Sequence, residues 1–562
     1  MAAFAPFGAG PGHLLIVACF MALVGVSTLR AQTTGAVPVP AVEAFPEMLP
    51  DWAAQAESPL QPLTLQHAQA LSAAGNGFEL PALSAQEVAA ADAAAQARTG
   101  HIRPGPFRVG LVRSVGMQPL RIPDDCDVVQ PLPATGETVW LLSIRSPGSF
   151  DTRVHLSNVD LGRGRLIVYA LTDGGPLVRG PYDKLGPDGN GDFWPASLAG
   201  DRLFIEVVGP DVPRAEIAEI VHGDVDPDHP LGGDAPEGTP GSCELDAMCY
   251  GNPPINATAR AAVGRMNFVV NGESFVCTGT LLNDLDSETF VPYFLTANHC
   301  IDENVNLATL QVTWLYQETP CAPANCPYDS CLSSTPSLSG LPNNVNATLL
   351  ATSGATVGND ATVLRLHGGL PPGIGFAGWT NNESAGVVGV HHPHGSWKRA
   401  FFGEYHSTSL GCGADCGCFT PANYAFYSDV DGIVEPGSSG SAMFTSSGQV
   451  IGQLYGSCSL CPDAFDCFHT GDYCTQYGEW GQTYADVSYW LQLGGTLWVD
   501  AANTTPPWNG LQSDPYLTVS QAYNAAWDGS QIKIVAGNYL QNLTMNKQIT
   551  LKAVNGLVRI GN

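Results

Sequence analysis

From 101 to 222 the chain alternates apolar and polar residues with a period of two. Val109–Val115, Thr138–Ser146, Arg153–Asp160, Arg165–Thr172 and Arg202–Gly209 are short runs rich in β-branched and aromatic residues. Turn-forming residues such as Asp188-Gly189-Asn190-Gly191 separate them. Runs of this period and length predict strands with one buried face, and their number predicts a small β-sandwich. Residues 32–100 lack the pattern. They are rich in Ala and Pro and read as a leader or linker. One helix is expected there over Ser84–Ala97, because Ser84 and Glu87 stand at capping-box spacing. Residues 223–241 are an acidic Gly/Pro linker open to proteolysis.

Two further stretches break the alternation. Residues 13–29, HLLIVACFMALVGVSTL, form the longest apolar run, with Ala31 as a plausible cleavage point. They read as a secretory signal peptide spanning 1–31, so the mature form is expected outside the cell without stable membrane insertion. Residues 496–562 carry the runs TLWVD, QIKIVAG, QITLKAV and LVRIG. Their spacing suggests rungs of a parallel β-helix. Gly537-Asn538-Tyr539 and the following NLTMNKQITLKAV resemble the opening of right-handed β-helix domains.

Composition narrows the class. Gly (63) and Pro (43) are abundant, hydrophobic residues make up 44% and charged residues 13% of 562. That balance suits a mainly β protein with many turns. A formal charge of −29 disfavours nucleic acid and anionic membrane as partners. Of sixteen cysteines, Cys19 lies in the signal segment and Cys126 stands alone. The other fourteen fall between Cys243 and Cys474. A dense even set in an exported chain reads as disulfides. The spacings Cys412-x3-Cys416-x-Cys418 and Cys458-x2-Cys461 lack paired histidines, so no metal and no cofactor are expected.

Residues 242–495 also hold the candidate chemistry. Phe294–Cys300 reads FLTANHC, Gly358–Leu366 reads GNDATVLRL, and Glu435–Phe444 reads EPGSSGSAMF. A serine hydroxyl is a poor nucleophile at neutral pH and needs a base, which in turn needs a group to fix its tautomer. His299, Asp360 and Ser439 supply these types in the chain order His, Asp, Ser. Gly437 and Gly440 flank the serine, and the amides of Gly437 and Ser439 could face a developing oxyanion. GSSGS alone is an ordinary loop. Order, spacing and apolar flanks together make the catalytic reading the stronger one. Without an activated serine, the alternative is a catalytically silent exported adhesion protein.

Residues 240–493 resemble the secreted bacterial lysyl endopeptidase family of chymotrypsin-like serine proteases. PGSCELDAMC at 240–249, CTGTLLND at 277–284, FLTANHC, NDATVLRL, FAGW at 376–379, HHPHG at 391–395, EPGSSGS, IGQLYG at 451–456 and QYG at 476–478 carry the likeness. The resemblance implies a double β-barrel with the site between the barrels, and the triad His299, Asp360 and Ser439 with Gly437 in the oxyanion hole. It implies protein or peptide substrates, and a precursor whose propeptide is its own partner. It also implies disulfides Cys277–Cys300 and Cys249–Cys321, with Cys243 joined to Cys458 or Cys461. The whole chain is then mainly β: a β-sandwich-like propeptide domain, the double barrel, and a β-helix-like stub.

Three positions depart from that pattern. Thr475 stands where lysine-specific members carry the pocket aspartate, so strict lysine preference is not expected unless Asp463, Asp466 or Asp472 reaches the pocket. Tyr455 replaces a histidine that stacks with the residue at Trp379 and helps tune the triad. It can pack on Trp379, but it carries no positive charge near neutral pH. Ser438 precedes the nucleophile where animal trypsins have an aspartate, so activation cannot rest on a new terminal ammonium pairing there. His391, His392 and His394 read as a substrate-side strand and turn rather than a metal site.

Overall fold

The computed structural model describes residues 60–99, 105–226, 244–251, 255–286, 288–318, 321, 337–382, 384, 386–407, 423–459 and 473–561. The signal segment, most of the acidic linker, Cys243, Cys412, Cys416, Cys418, Cys461, Asp463, Asp466 and Asp472 lie outside these residues. So do the side chains of Cys458 and Cys474.

The architecture is mainly β. Glu137–Arg145, Arg202–Gly209, Arg165–Thr172 and Gly175–Asp183 pair in that order, with Val128–Leu132 on one side and Phe78–Glu79 at the edge. Facing this sheet are Asp151–Val154, Glu219–Gly223 and Phe107–Ser114 in the second layer. Leu142, Ile144, Val168, Ile205, Val154 and Ile220 fill the space between them. This is the layering that period-two alternation requires.

Arg202–Gly209 is buried on both faces, Glu206 included, and the structure shows why. Its outer face is covered by the helix Leu65–Ala74, where Ala68 packs with Leu141, Ile167, Tyr169 and Phe204. The buried Glu206 carboxylate accepts bonds from the Thr64 amide (2.7 Å) and hydroxyl (2.6 Å), satisfying donors at the start of that helix. Part of the expected leader is therefore folded onto the sheet. The second helix, Ala85–Thr99, begins with the expected reciprocal bonds between Ser84 and Glu87.

Beyond residue 244, Val263–Val270, Glu273–Leu282, Tyr293–Ala297, Gln311–Thr313, Asn343–Val345, Ala347–Ser353 and Ala361–Leu366 form one run of paired strands. A second set closes on itself: Arg399–Ser407, Gly386–His391, Ala442–Phe444, Gln449–Ser459, Tyr473–Glu479 and Tyr424–Asp431, which returns to Arg399–Ser407. Phe401, Tyr427, Met443, Leu454 and Tyr477 fill this barrel. The helix Trp480–Leu493 follows and ends at Gly494, whose φ of 59° suits glycine. One pairing joins regions that the sequence pattern kept apart. Phe107–Ser114 lies between Glu219–Gly223 and Glu273–Leu282, so the first layered unit and the first run of strands share a sheet.

The tail has three parallel strands, Thr496–Val499, Gln531–Tyr539 and Thr550–Ile560. QITLKAV and LVRIG, read as two runs, belong to a single strand that passes through the positive-φ residues Asn555 and Gly556. The tail packs on its neighbour. Phe290 donates to the Gly529 carbonyl (2.8 Å), Glu288 pairs with Lys533 and Lys552, and Arg365 lies over the Trp527 ring. A Cβ at Gly529 would sit 2.1 Å from the Phe290 carbonyl oxygen, so only glycine fits there.

Candidate active site

Tyr293–Ala297 delivers His299 from the end of a fully buried strand. The neighbouring strand Ala361–Leu366 runs antiparallel to it and starts just after Asp360. The two residues therefore meet at one sheet end. Asp360 is fully buried, and its carboxylate takes two bonds from His299: the Nδ1–H at 2.6 Å and the main-chain amide at 2.9 Å. With Nδ1 committed as donor, Nε2 is left as the basic nitrogen. His299 Nε2 is buried and has no hydrogen-bond partner among the described residues. Asp360 holds this place at φ 60°, a conformation that costs a non-glycine residue about 1–2 kcal/mol. The turn is pinned from outside. The Asn359 amide nitrogen donates to the Glu479 carbonyl (3.0 Å) and Thr483 hydroxyl (2.7 Å), and its carbonyl accepts from Gln453 (2.6 Å).

Ser439 lies on the loop before Ala442–Phe444 and is buried. Its carbonyl accepts from the Thr278 amide (2.9 Å), and Sγ of Cys300 lies 3.8 Å from the same oxygen. Gly440 packs so closely that a Cβ would meet Thr296 Oγ1 at 2.3 Å and the Ala297 nitrogen at 2.7 Å. The serine loop is therefore pressed against the segment that carries His299. At Gly437, φ is 95°, and a Cβ would meet the His392 oxygen at 2.9 Å and the His394 nitrogen at 3.0 Å. The Thr278 hydroxyl holds the Gly437 carbonyl at 2.9 Å, which fixes the direction of this peptide.

Ser438 has a partner that the sequence reading missed. Its hydroxyl meets His391 Nδ1 at 2.8 Å and accepts from the Glu435 amide at 3.2 Å. His391 Nε2 lies 3.9 Å from Glu244 Oε2, His392 Nδ1 donates to the Ser396 carbonyl (2.8 Å), and His394 Nδ1 faces Glu435 at 3.4 Å. The three histidines thus address separate partners rather than one point. Burial, and then Arg399, push His391 down to about 3. Burial, and then Lys398, hold His392 well below its ordinary value. Burial, and then Arg260, lower Lys398 to about 7. A buried polar histidine beside a serine was the available signal, but sequence spacing alone does not reveal the pairing.

The pocket candidates are spread apart. Thr475 is buried in Tyr473–Glu479, in register with Tyr427 and Ser457. Tyr455 stands edge-on to His299 (5.9 Å) and to Tyr424 (5.5 Å). Burial, and then the Asp360 charge, raise its phenol above the usual range. Trp379 lies on a neighbouring strand. It pairs beside Val450, five residues before Tyr455, and packs against Trp480 and Tyr484. Its indole donates to the Asn283 carbonyl (2.7 Å). The disulfides Cys277–Cys300 and Cys249–Cys321 are both present, and Cys126 is a free thiol pushed up to about 12 by burial and by Asp127.

Residues 237–473 match the family described as Lysyl endopeptidase, C-terminal domain. Lysyl endopeptidase of Pseudomonas aeruginosa PAO1 is 30% identical over 298 residues, covering 48% of this chain and 58% of that protein. The chain thus spans under two thirds of the length of the curated relative it matches. Among solved structures, Rv3671c protease from M. tuberculosis in its active form aligns with a TM-score of 0.28 and 15% identity, over 45% of this chain and 90% of that one. The HtrA-type protease AlgW with tripeptide aligns at 0.27 and 14%, over 43% and 67%. The family and relative matches bear out the resemblance to the lysyl endopeptidase-like family over this stretch.

The buried bases predict acid sensitivity. His391 and His392 are neutral in the fold, whereas the unfolded chain takes up their protons below about pH 6.5. Their contribution to stability is complete above that pH and is lost as pH falls below it, for His391 down to about 3. Each histidine sets a slope of up to about 1.4 kcal/mol per pH unit in this window. Chemical denaturation of the Ser439→Ala chain between pH 4 and 7 checks this. His391→Gln is expected to flatten the slope by one proton, and an unchanged slope would contradict the assignment.

Proposed function

We propose that residues 242–495 form a serine endopeptidase of the double β-barrel type, secreted and made as a precursor. The carrying observation is the buried Asp360 carboxylate on Nδ1 of His299, beside the glycine-flanked Ser439 loop. In this reading His299 Nε2 takes the Ser439 proton as Oγ attacks the scissile carbonyl carbon. The oxyanion rests on the amides of Gly437 and Ser439. The tetrahedral intermediate then collapses: the C–N bond breaks, His299 returns its proton to the leaving amine, and an acyl-enzyme remains. Water hydrolyses that ester by the same proton route. Asp360 stays ionised and stabilises the imidazolium that forms at each step.

Residues 1–31 are proposed as signal peptide, and 32–241 as leader, propeptide domain and linker removed on activation. The parallel strands after 496 are proposed as the start of a right-handed β-helix-like domain. Ser438 paired to His391 replaces a terminal ammonium as the support of the oxyanion loop. Thr475 is proposed to lie at the base of the substrate pocket, where a neutral hydroxyl cannot compensate a lysine ammonium.

Ser439→Ala is expected to lower peptide hydrolysis about 10⁴–10⁶-fold with the fold retained. Turnover near wild type in that variant would identify another nucleophile. N-terminal sequencing of the active secreted product should place its start near Gly241-Ser242-Cys243, and an active species beginning near Gln32 would refute removal. Peptides differing only before the cut should show no more than about a tenfold preference for lysine. A charge pair at ~4 Å is worth roughly 4 kcal/mol at an effective dielectric of about 20, and losing half of it removes more than tenfold. A strong Lys or Arg preference abolished by Asp472→Asn would overturn this.

A further inference from the structure

The cleft is not empty. The Gly437 amide, placed above as an oxyanion donor, donates instead to the carbonyl of Gly105 at 3.0 Å. Two residues later the same segment becomes a strand on the barrel. Phe107 pairs with Val276 and Arg108 with Phe275, antiparallel, beside the Cys277–Cys300 bridge next to His299. The Phe107 ring stands edge-on to His394, with centroids 4.7 Å apart and planes at 86°. Arg108 anchors the strand through Asp224 (2.8 Å) and Asp92 (2.6 Å). The His299 side chain is only 7% exposed.

A peptide substrate enters such a cleft extended. Its scissile carbonyl takes the oxyanion amides, and its leaving side adds to a free strand edge. Gly105 to Arg108 satisfy both conditions at once. The bond in the scissile position is then Gly105–Pro106.

We propose that Gly105–Arg108 occupy the leaving-group side of the cleft in a substrate's register and block it until this strand is withdrawn. Val276 and His394 are then the residues that hold the second position after the cut in real substrates. This rests on the endopeptidase reading above. The occupant resists its own enzyme for a chemical reason. Cleavage needs Ser439 Oγ to bond to the Gly105 carbonyl carbon, the C–N bond to Pro106 to break, and His299 Nε2 to hand its proton to the Pro106 nitrogen. That nitrogen is tertiary, and its ring fixes φ and fills the space through which the proton must come. Any proline amine released would remain at the head of an intact strand pairing. There it re-forms the amide from the acyl-enzyme at high effective concentration, returning the proton to His299.

The test is the labelling rate of uncut full-length chain by a fluorophosphonate, whose P=O oxygen needs the amide that Gly105 holds. Phe107→Ala removes the ring on His394. Pro106→Ala restores an ordinary amide and is expected to yield a fragment starting at Ala in place of Pro106, seen by intact mass. At least about tenfold faster labelling of either variant than of wild type supports the proposal. Measurable labelling at one rate in all three chains, with the bond after Gly105 whole, overturns it and leaves the endopeptidase reading standing. No labelling in any chain, together with no hydrolysis by the secreted product, overturns both.

Discussion

The buried carboxylate of Asp360 is the constraint around which this part of the molecule is arranged. A buried carboxylate needs donors, and two of them come from His299, main chain and side chain together. To reach them Asp360 adopts a left-handed backbone, which is unfavourable for a residue with a side chain. The surroundings hold that turn in place. Gln453 and Glu479, from the closed barrel, and Thr483, from the helix that follows, fasten Asn359. Gly478 has no side chain because the Asn359 carbonyl oxygen lies 2.0 Å from where its Cβ would be. The two sets of strands are thus keyed to each other at the residue that orients the base.

A second junction lies along a shared strand. The strand Phe107–Ser114 joins the N-terminal layered unit to Glu273–Leu282. Buried polar links reinforce it. The Arg153 guanidinium donates to the Thr309 carbonyl, and the Ser197 amide donates to the Gln311 side-chain oxygen. Each of these groups is buried, so separating the two units would leave unpaired donors and acceptors, at about 1–3 kcal/mol each if dry. Water entering the opened junction reduces that cost.

Much of the site was legible because its chemistry is local in sequence. NHC, GND and GSSGS each sit at the end of a strand or in a turn that their own residues specify. Cys277 and Cys300 flank one hairpin-like stretch, and the Ser84–Glu87 cap is a three-residue pattern. The parts that were not legible depend on pairings between distant segments. The period of Val109–Val115 shows that it is a strand but not which edge it joins. The run Arg202–Gly209 carries Phe204 and Val208 on the face away from Leu203, Ile205 and Val207, which was the signal that a helix from the supposed leader covers it. Trp379 and Tyr455 looked adjacent by analogy, yet register places Trp379 beside Val450, roughly 16 Å of extended strand from Tyr455. Ser438 and His391 are 47 residues apart and meet only through the barrel fold.

The account turns on Asp360 fixing the tautomer of His299. Proton NMR of the Ser439→Ala chain reads this directly, because an Nδ1–H in a short bond to a carboxylate resonates far downfield of other protons. The account predicts such a signal, carried on a histidine nitrogen and absent in the additional Asp360→Asn variant. A signal that survives Asp360→Asn, or a His299 ring protonated at Nε2 and bare at Nδ1 at neutral pH, would contradict it.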